Sequence, residues 1–522
     1  MVLRATVSGL ATAICVDSAF GAQDPGGGTR SSDDDLGPPP NLSSVGINIP
    51  SIDYYDLAGT RCFTDVFKAS SPFGLSVPTD PLRTDFYPAS LTGTATSYVF
   101  VDTFGRYVGF CDGDGTFTVN SGGGEVVTVD SRGRDYRFEF DVPDADEVSN
   151  FIEVVITRTN AADPIRNLRL VMPGFERTYR GANLFHPDYL AALQPFSVLR
   201  FMNAMKTNNS TQDQWAMRPH LADQTQGKGL ALEYMIELCN RTGAAPWFTI
   251  PHLATVDYVT QFAQTVKARL RPDVDVYVEY SNETWNPLYQ QFHHCKNSGY
   301  AAGFDAGPTI RAAHRWHAFK TKENFEIFRA VFGTGADRIM CVNAGQMANL
   351  DTERLTWGGI DQLPNLKYGV APYFSTKQTK AQVLAGGVEG VLDATEDRLV
   401  DVVVPYFTTM ATLAESHNHK LIAYEYNTAY LVQIYHEPDP TIRAQLLAIL
   451  TEANRSPRMQ AFFRDVWLPQ FKAAGGEMSA AFQFSGIIDD FGDWGLVNDL
   501  DDPLNERYEG IREFAQMTPR WW

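Results

Sequence analysis

After Pro164 the sequence alternates short apolar runs with longer stretches in which apolar residues recur with a helical period, as in 256–270 and 311–332. Eight of the apolar runs have the length of a buried strand, namely 168–172, 197–201, 247–251, 276–280, 338–342, 368–372, 420–424 and 480–484. Repeated strand–helix units form a parallel sheet covered by helices, and eight units are enough to close it into a barrel. The pattern predicts an α/β fold, a (β/α)8 barrel of the TIM type, over 163–522.

The part of the chain before this barrel has three different compositions. Residues 46–162 contain short alternating runs separated by Gly and Asp turns, which predict an antiparallel β-sandwich accessory domain. Residues 23–45 are rich in Gly, Pro, Ser and Asp, which is typical of a flexible linker. Residues 1–22 combine one Arg, a short apolar run and small residues, a pattern that resembles a signal peptide and favours a secreted or periplasmic protein.

The charge balance narrows the choice of partner. The chain has 43 Lys and Arg residues against 62 Asp and Glu residues, a formal net charge of −19. Nucleic acids and anionic lipid surfaces bind clustered positive charge, so neither is the expected partner. No apolar run approaches the roughly 18 residues that a membrane-spanning helix needs, so we predict no integral membrane segment.

The cysteines do not indicate a metal or redox site. The six cysteines of the chain include no C-x-x-C pair, and we predict neither a metal nor a cofactor. Cys62 and Cys111 both lie in the predicted β domain, where they either form a disulfide or remain thiols.

Polar residues cluster where the predicted barrel strands end. In a βα barrel the reacting groups lie just beyond the carboxyl ends of the strands. The residues at or after those ends are Arg200, Asn203, His252, Asn282, Glu283, Tyr373, Glu425 and Trp494. Glu279 lies within the fourth predicted strand, where we expect it to pair with a cation of the barrel.

Two of these residues are carboxylates on the fourth and seventh predicted strands, Glu283 and Glu425. Such a pair can divide the work of glycosidic bond cleavage, because one group can stay protonated and donate a proton while the other stays ionised. A separation of about 5 Å allows direct attack on the sugar and retention of configuration, whereas roughly 6.5 to 9.5 Å leaves room for water and inversion.

The segments V-Y-V-E-Y-S-N-E-T-W-N (276–286) and L-I-A-Y-E-Y-N (421–427) carry a family resemblance. Together with the strand count, they resemble the large clan of retaining glycoside hydrolases whose (β/α)8 barrels place an Asn-Glu pair on strand four and a second Glu on strand seven. The resemblance covers about 165–518. It implies that Glu283 is the acid/base, that Asn282 binds the sugar 2-hydroxyl and that Glu425 is the nucleophile.

The resemblance also implies supporting roles in substrate binding. Arg200 would orient the nucleophile, Tyr373 would donate a hydrogen bond to it, and His252 and Asn203 would line the sugar subsite. Either Trp285 or Trp494 would supply the stacking face, and the sequence leaves this choice open. Phe482 and Phe484 occupy the end of strand eight, where the clan has a tryptophan.

The expected function is hydrolysis of a β-linked polysaccharide or oligosaccharide by double displacement. Cellulose or a related β-glucan is the first expectation, since 33 Phe, 22 Tyr and 9 Trp offer many sugar platforms, and xylan and mannan stay open. One alternative is a noncatalytic carbohydrate-binding barrel. The other is a metal-dependent hydrolase that uses His252 with the pairs His293–His294 and His314–His317, although no third ligand follows at a suitable spacing.

Overall fold

The computed structural model describes residues 38–144, 150–347, 349, 352–498, 500–501 and 505–522. The predicted signal peptide, 1–22, and the first part of the predicted linker lie outside the described residues. In chain order the strands are β1 (Gly46–Asn48), β2 (Gly74–Leu75), β3 (Ala95–Phe100), β4 (Gly105–Asp112), β5 (Gly115–Asn120), β6 (Val127–Ser131), β7 (Tyr136–Val142), β8 (Phe151–Thr159), β9 (Arg166–Val171), β10 (Val198–Arg200), β11 (Ala245–Ile250), β12 (Val276–Tyr280), β13 (Ile339–Ala344), β14 (Leu366–Val370), β15 (Lys420–Tyr426), β16 (Gly476–Ala481), β17 (Ile488–Asp489) and β18 (Gly492–Asp493).

The α-helices in chain order are α1 (Leu57–Thr60), α2 (Pro187–Leu193), α3 (Leu232–Thr242), α4 (Val256–Arg269), α5 (Gln290–Ala301), α6 (Ile310–Phe332), α7 (Thr352–Thr356), α8 (Lys380–Arg398), α9 (Val404–Ser416), α10 (Pro440–Asn454), α11 (Pro457–Ala461), α12 (Leu468–Ala473) and α13 (Glu506–Met517). None of the helices in the described ranges is long and apolar enough to span a bilayer.

Eight parallel strands close into a barrel in the order β1, β10, β11, β12, β13, β14, β15 and β16. The circle is completed by β1, which pairs with β10 through Gly46 and Val198 and with β16 through Gly46 and Ala480. All five residues of β12 are buried, as expected for a strand with barrel interior on one side and helices on the other. The predicted α/β barrel is confirmed.

One predicted barrel strand is wrong. The run 168–172 falls in β9, which pairs antiparallel with β4 and lies outside the barrel. The first barrel strand is instead β1, a three-residue strand that follows the linker. A short apolar run does not reveal whether its partners run parallel or antiparallel, so the assignment failed there. Because one strand replaces the other, β12 and β15 remain the fourth and seventh barrel strands.

Two antiparallel sheets are inserted between the first and second barrel strands. One has the strand order β2-β3-β8-β5-β6 and the other β7-β4-β9. The rings of Phe117 on β5 and Phe138 on β7 lie 5.3 Å apart and connect the two sheets. The barrel therefore begins with β1, before these sheets, and resumes with β10, after them. The predicted division into 46–162 and 163–522 assigned β1 to the wrong part.

The described end of the predicted linker packs on the barrel. The amide nitrogen of Asn41 donates to the carbonyl of Gly243 over 2.8 Å, and its side chain donates to the carbonyl of Gln194 over 2.7 Å. Ser44 and Val45 are fully buried. Residues 38–45 are therefore held in place, in contrast to the flexible linker that the composition predicts.

Cys62 and Cys111 are both free and buried, so they do not form the disulfide that the sequence left open. The outer helices α5 and α6 approach closely at Gly299, where an added Cβ would lie 2.2 Å from the carbonyl oxygen of Ala312. Only a glycine permits that approach.

Candidate active site

Arg200, the last residue of β10, is at the centre of the polar network at the carboxyl end of the barrel. Its side chain is fully buried and all its N–H groups are used. Nε and Nη2 donate to Glu279 over 3.0 to 3.2 Å, and Nη2 also donates to Oδ1 of Asn282 over 2.9 Å. Nη1 donates to Oδ1 of Asn48 over 3.0 Å and to Oε1 of Glu425 over 2.7 Å. One guanidinium thereby contacts four residues from three other barrel strands or the turns that follow them, namely β1, β12 and β15.

Two aromatic rings lie close to this guanidinium. Its carbon lies 5.1 Å from the ring centroid of Trp247 and 5.0 Å from that of Tyr424. Cation–π contacts of this kind strengthen as water is removed. The rings and the hydrogen bonds together restrain the side chain of Arg200.

Glu425, on β15, is buried and accepts two strong hydrogen bonds. Arg200 donates to Oε1, and the hydroxyl of Tyr373 donates to Oε2 over 2.8 Å. Both bonds stabilise negative charge on the carboxylate, because one donor is a cation and the other a hydroxyl. The carboxylate is thus oriented at two points, one on each oxygen.

Glu283 lies three residues beyond β12 in a different environment. The backbone adopts the left-handed region at Ser281 (φ 59°) and at Glu283 itself (φ 40°), which turns the chain sharply where the strand ends. Its only hydrogen-bonding partner among the described side chains is Asn286, which donates from Nδ2 to Oε2 over 2.9 Å. Burial raises the pKa of Glu283 to about 7, and the negative charge of Glu425 adds to the shift.

Glu279 pairs with the barrel cation, as predicted. It faces Arg200 in a two-point ion pair and also accepts a hydrogen bond from Nε1 of Trp247 over 2.9 Å. Burial raises the pKa of Glu279, and the ion pair with Arg200 opposes that shift. Since Glu279 has no exposed surface and pairs with Arg200, its role is to hold that arginine in place.

Asn282, beside Glu283, is buried and fixed on both sides of its amide. Its Oδ1 accepts from Arg200, and its Nδ2 donates to Oδ1 of Asn208 over 3.1 Å. Gln291 on α5 donates to the same oxygen of Asn208 over 2.7 Å and to the carbonyl of Asn282 over 2.9 Å. The orientation of the Asn282 amide is therefore determined by its hydrogen bonds to Arg200 and Asn208.

Three aromatic side chains lie edge to face at the other side of Glu425. The ring of Tyr373 is 5.4 Å from that of Trp494 and 6.1 Å from that of Phe482. The Trp494 indole donates to the carbonyl of Phe491 over 2.8 Å, and its own carbonyl accepts from Asn427 over 2.9 Å. Trp494 is half-buried and anchored at both ends, which are the properties of a fixed platform.

The remaining predicted residues lie around this centre. Asn203 donates to Oε1 of Gln483 over 2.7 Å. His252 is buried, with its ring 5.2 Å from that of His294, and burial together with the charge of His294 lowers the pKa of His252 to about 4. Trp285 is half-buried, and its indole N–H finds no acceptor within the described part of the chain.

The histidine pairs do not converge with His252 into a cluster of ligands. His293 and His294 lie on α5, where His293 contacts the carbonyl of Pro287. His314 and His317 lie on α6, and Nδ1 of His317 is 2.9 Å from the hydroxyl of Thr284. Within the ranges that the structure describes, no group of three or more His, Cys, Asp or Glu side chains is arranged to hold a metal ion.

Several residues of the site were missed from the sequence: Asn48, Asn208, Asn286, Gln291 and Gln483. Asn48 could have been found, because it interrupts the apolar run V-G-I-N-I at 45–49. The others lie in loops or on α5, where no periodic pattern marks them.

No family model matches this sequence, and no curated protein matches it. Among solved structures, a GH5-4 broad specificity endoglucanase from Bacteroides salanitronis is 12% identical, with a TM-score of 0.35 over 63% of this chain and 84% of its own. The CBM22-1–GH10 modules of a Clostridium thermocellum endo-1,4-β-D-xylanase are 10% identical, with a TM-score of 0.35 over 82% of this chain and 89% of theirs. A ruminal GH26 endo-β-1,4-mannanase is 10% identical, with a TM-score of 0.30 over 84% of this chain and 90% of its own. At these levels of similarity the function of this chain has to be argued from its own residues.

Proposed function

We propose that this protein is a retaining glycoside hydrolase acting on a β-linked polysaccharide or its oligosaccharides, with a β-glucan as the first candidate. The observation that carries the proposal is the unequal environment of two carboxyl groups. Glu425 receives hydrogen bonds from Arg200 and Tyr373, whereas burial and the charge of Glu425 raise the pKa of Glu283 to about 7. One acid is thus suited to attack and the other to donate a proton at neutral pH.

In the first step the ionised Glu425 attacks the anomeric carbon while Glu283 gives its proton to the departing glycosidic oxygen. The bond from carbon to the leaving oxygen breaks as the bond from carbon to Glu425 forms. In the second step Glu283, now ionised, takes a proton from water, and the oxygen of that water displaces Glu425. Two inversions at the same carbon give a product of retained configuration.

The neighbouring side chains fit the binding of a neutral sugar. Trp494 supplies a fixed aromatic face for stacking, and we assign the platform to it because it is anchored at both ends and contacts Tyr373. His252 is neutral at physiological pH, so it offers a hydrogen bond without adding charge. Asn282 precedes Glu283 in the chain, and in this proposal its amide binds a hydroxyl of the reacting sugar.

The test is hydrolysis of aryl β-glycosides and soluble β-glucans by the full chain, with the anomer of the first product observed by NMR. We expect a β-configured product. Glu425→Gln should lower the activity at least about 1,000-fold, and Glu283→Gln should lower it by a similar factor on unactivated substrates. Glu389→Gln is the matched control, since Glu389 is a surface residue paired with Arg458, and it should behave as wild type.

Azide separates the two roles. Glu425→Gly with azide should release an α-glycosyl azide. Azide then attacks the β-glycoside in place of Glu425, and this single displacement inverts the anomeric carbon. Glu283→Gly with azide should release a β-glycosyl azide from an activated substrate, because the nucleophile is intact. A protein that binds β-glucan but hydrolyses no glycoside would contradict the proposal and favour the noncatalytic carbohydrate-binding barrel.

A further inference from the structure

Five aromatic rings form a continuous surface that starts beside the barrel and runs onto the five-stranded sheet. We call it the aromatic face; it consists of Tyr54, Tyr55, Tyr98, Phe100 and Phe151. Successive ring centroids are 4.1 Å apart from Tyr54 to Tyr55 and 5.0 Å from Tyr55 to Phe100. They are 6.2 Å apart from Phe100 to Phe151 and 6.4 Å from Phe151 to Tyr98.

The alternation of side chains along β3 and β8 places these rings on the outer side of the sheet. Val99 and Ile152, each 1% exposed, point inward, whereas Tyr98 is 38% exposed and Tyr55 is 52% exposed. Phe100 stands opposite Phe151 in the strand register, so their rings are brought together by the pairing itself. Tyr54, Phe100 and Phe151 are half-buried between these two exposed rings. A contiguous apolar patch of this kind on a folded protein indicates a binding surface.

Hydrogen-bonding groups lie between the rings. Glu153 stands opposite Tyr98 in the register, and the hydrogen bond between them raises the pKa of the Tyr98 hydroxyl. The amide of Asn120, on the next strand, donates to Oε2 of Glu153 over 3.5 Å. Aromatic faces flanked by hydroxyl, amide and carboxylate groups suit a ligand with apolar faces and many hydroxyls.

The aromatic face includes part of the segment that leaves the carboxyl end of a barrel strand. Tyr54 belongs to the segment that follows β1, the strand whose Asn48 contacts Arg200. The carbonyl of Tyr54 accepts a hydrogen bond from the backbone of Phe100 over 3.0 Å, which joins this segment to β3. Tyr54 and Tyr55 therefore lie on the segment that leaves the barrel at the end where Arg200 contacts Glu425.

We propose that the aromatic face binds a stretch of neutral β-linked polysaccharide whose continuation enters the active site. This proposal rests on the proposed function, because it takes its ligand from the same substrate class. The net charge of −19 agrees with a neutral ligand and disfavours a polyanion. The inserted sheets would thus make the protein selective for long chains over short oligosaccharides.

Binding is tested with the full chain carrying Glu283→Gln, so that the ligand is not consumed. Affinity electrophoresis in native gels uses four probes: mixed-linkage β-glucan, hydroxyethyl cellulose, arabinoxylan and glucomannan. Tyr55→Ala and Tyr98→Ala should each lower the affinity for at least one of these polysaccharides about tenfold, as expected for a ring at the centre of a contact. Tyr406→Ala is the matched control, since Tyr406 is 49% exposed on α9, away from this face.

The same substitutions in the active chain give a second readout. Tyr55→Ala and Tyr98→Ala should lower the ratio of kcat/KM on polysaccharide to kcat/KM on an aryl glycoside, whereas Tyr406→Ala should leave it unchanged. Retention of none of the four probes, or equal loss in Tyr406→Ala, would overturn the proposal. A change of oligomeric state in Tyr98→Ala with retention unchanged would also overturn it and assign the face to a second copy.

The two proposals fail separately. If no glycoside is hydrolysed but Tyr55→Ala and Tyr98→Ala still reduce retention, the aromatic face stands and the catalytic role falls. If glycosides are hydrolysed and retention does not depend on these rings, the catalytic role stands and the proposed role of the aromatic face is wrong.

Discussion

The guanidinium of Arg200 donates a hydrogen bond to Oε1 of Glu425 over 2.7 Å, where the two side chains keep 0% and 5% of their accessible surface. Arg200 also forms an ion pair with Glu279, so one cation pairs with two buried carboxylates. The stability of the barrel and the orientation of Glu425 therefore both depend on this arginine.

Replacing Arg200 by methionine leaves Glu279 and Glu425 buried without their cation. Removing one partner of a buried ion pair costs about 3 to 5 kcal/mol in the free energy of unfolding, and we expect a loss of that size in urea denaturation. Arg458→Met is the matched control, because Arg458 pairs with carboxylates on the surface. A loss under about 1 kcal/mol for Arg200→Met would show that the network does not hold the barrel together.

Asn286 controls the pH range of the proposed acid. Glu283 must carry its proton to act, so kcat/KM should fall as the pH rises through about 7, the pKa of Glu283. The hydrogen bond from Asn286 favours the ionised form and lowers that pKa. Asn286→Ala should therefore move the basic limb of the kcat/KM profile to higher pH. A limb that stays in place or moves to lower pH would contradict the role given to this hydrogen bond.

Tyr373→Phe removes the hydroxyl that donates to Oε2 of Glu425 while leaving the ring contact with Trp494 in place. A hydrogen bond to a charged group is worth about 1.5 to 3 kcal/mol, so kcat should fall roughly 10-fold to 150-fold. Tyr508→Phe is the control, since its hydroxyl donates to the carbonyl of Ala192 on the outside of the barrel. If both variants keep the wild-type kcat, Glu425 does not depend on Tyr373.

Gly299→Ala should destabilise the packing of α5 on α6. The added Cβ would lie 2.2 Å from the carbonyl oxygen of Ala312, so the helices must move apart. We expect a loss of roughly 1 to 3 kcal/mol, as for other overpacked positions. Gly390→Ala is the control, because nothing lies within 4 Å of its added Cβ on α8, and an alanine within a helix should stabilise it by about 0.5 to 1 kcal/mol. Thermal unfolding should therefore separate the two variants in opposite directions.

Most of the barrel was predictable because its strands are apolar runs flanked by helical periodicity, and seven of the eight proposed barrel strands overlap barrel strands in the structure. The overlap is smallest for the run 480–484, because β16 ends at Ala481. The first strand was missed because β1 has only three residues. Its pairing is set by Val198 and Ala480, which are far away in the sequence, and local patterns carry no information about such partners.

The site was predictable where a residue lies at the end of a barrel strand, as for Arg200 and Glu425. Asn286 and Gln483 were not, because their roles depend on the path of loops whose sequence has no period. The aromatic face was missed for a related reason. It exists only because β3 and β8, about fifty residues apart, pair in a register that sets Phe100 against Phe151.

The seam between β1 and β16 also has a consequence for biosynthesis. Gly46 needs Ala480 as its neighbour, so the cylinder stays open while the ribosome translates more than four hundred intervening codons. Contacts this distant in sequence form slowly. During that interval β1 lacks this neighbour, and an unpaired strand edge favours aggregation, so the yield of native protein should depend on chaperones at this stage of elongation.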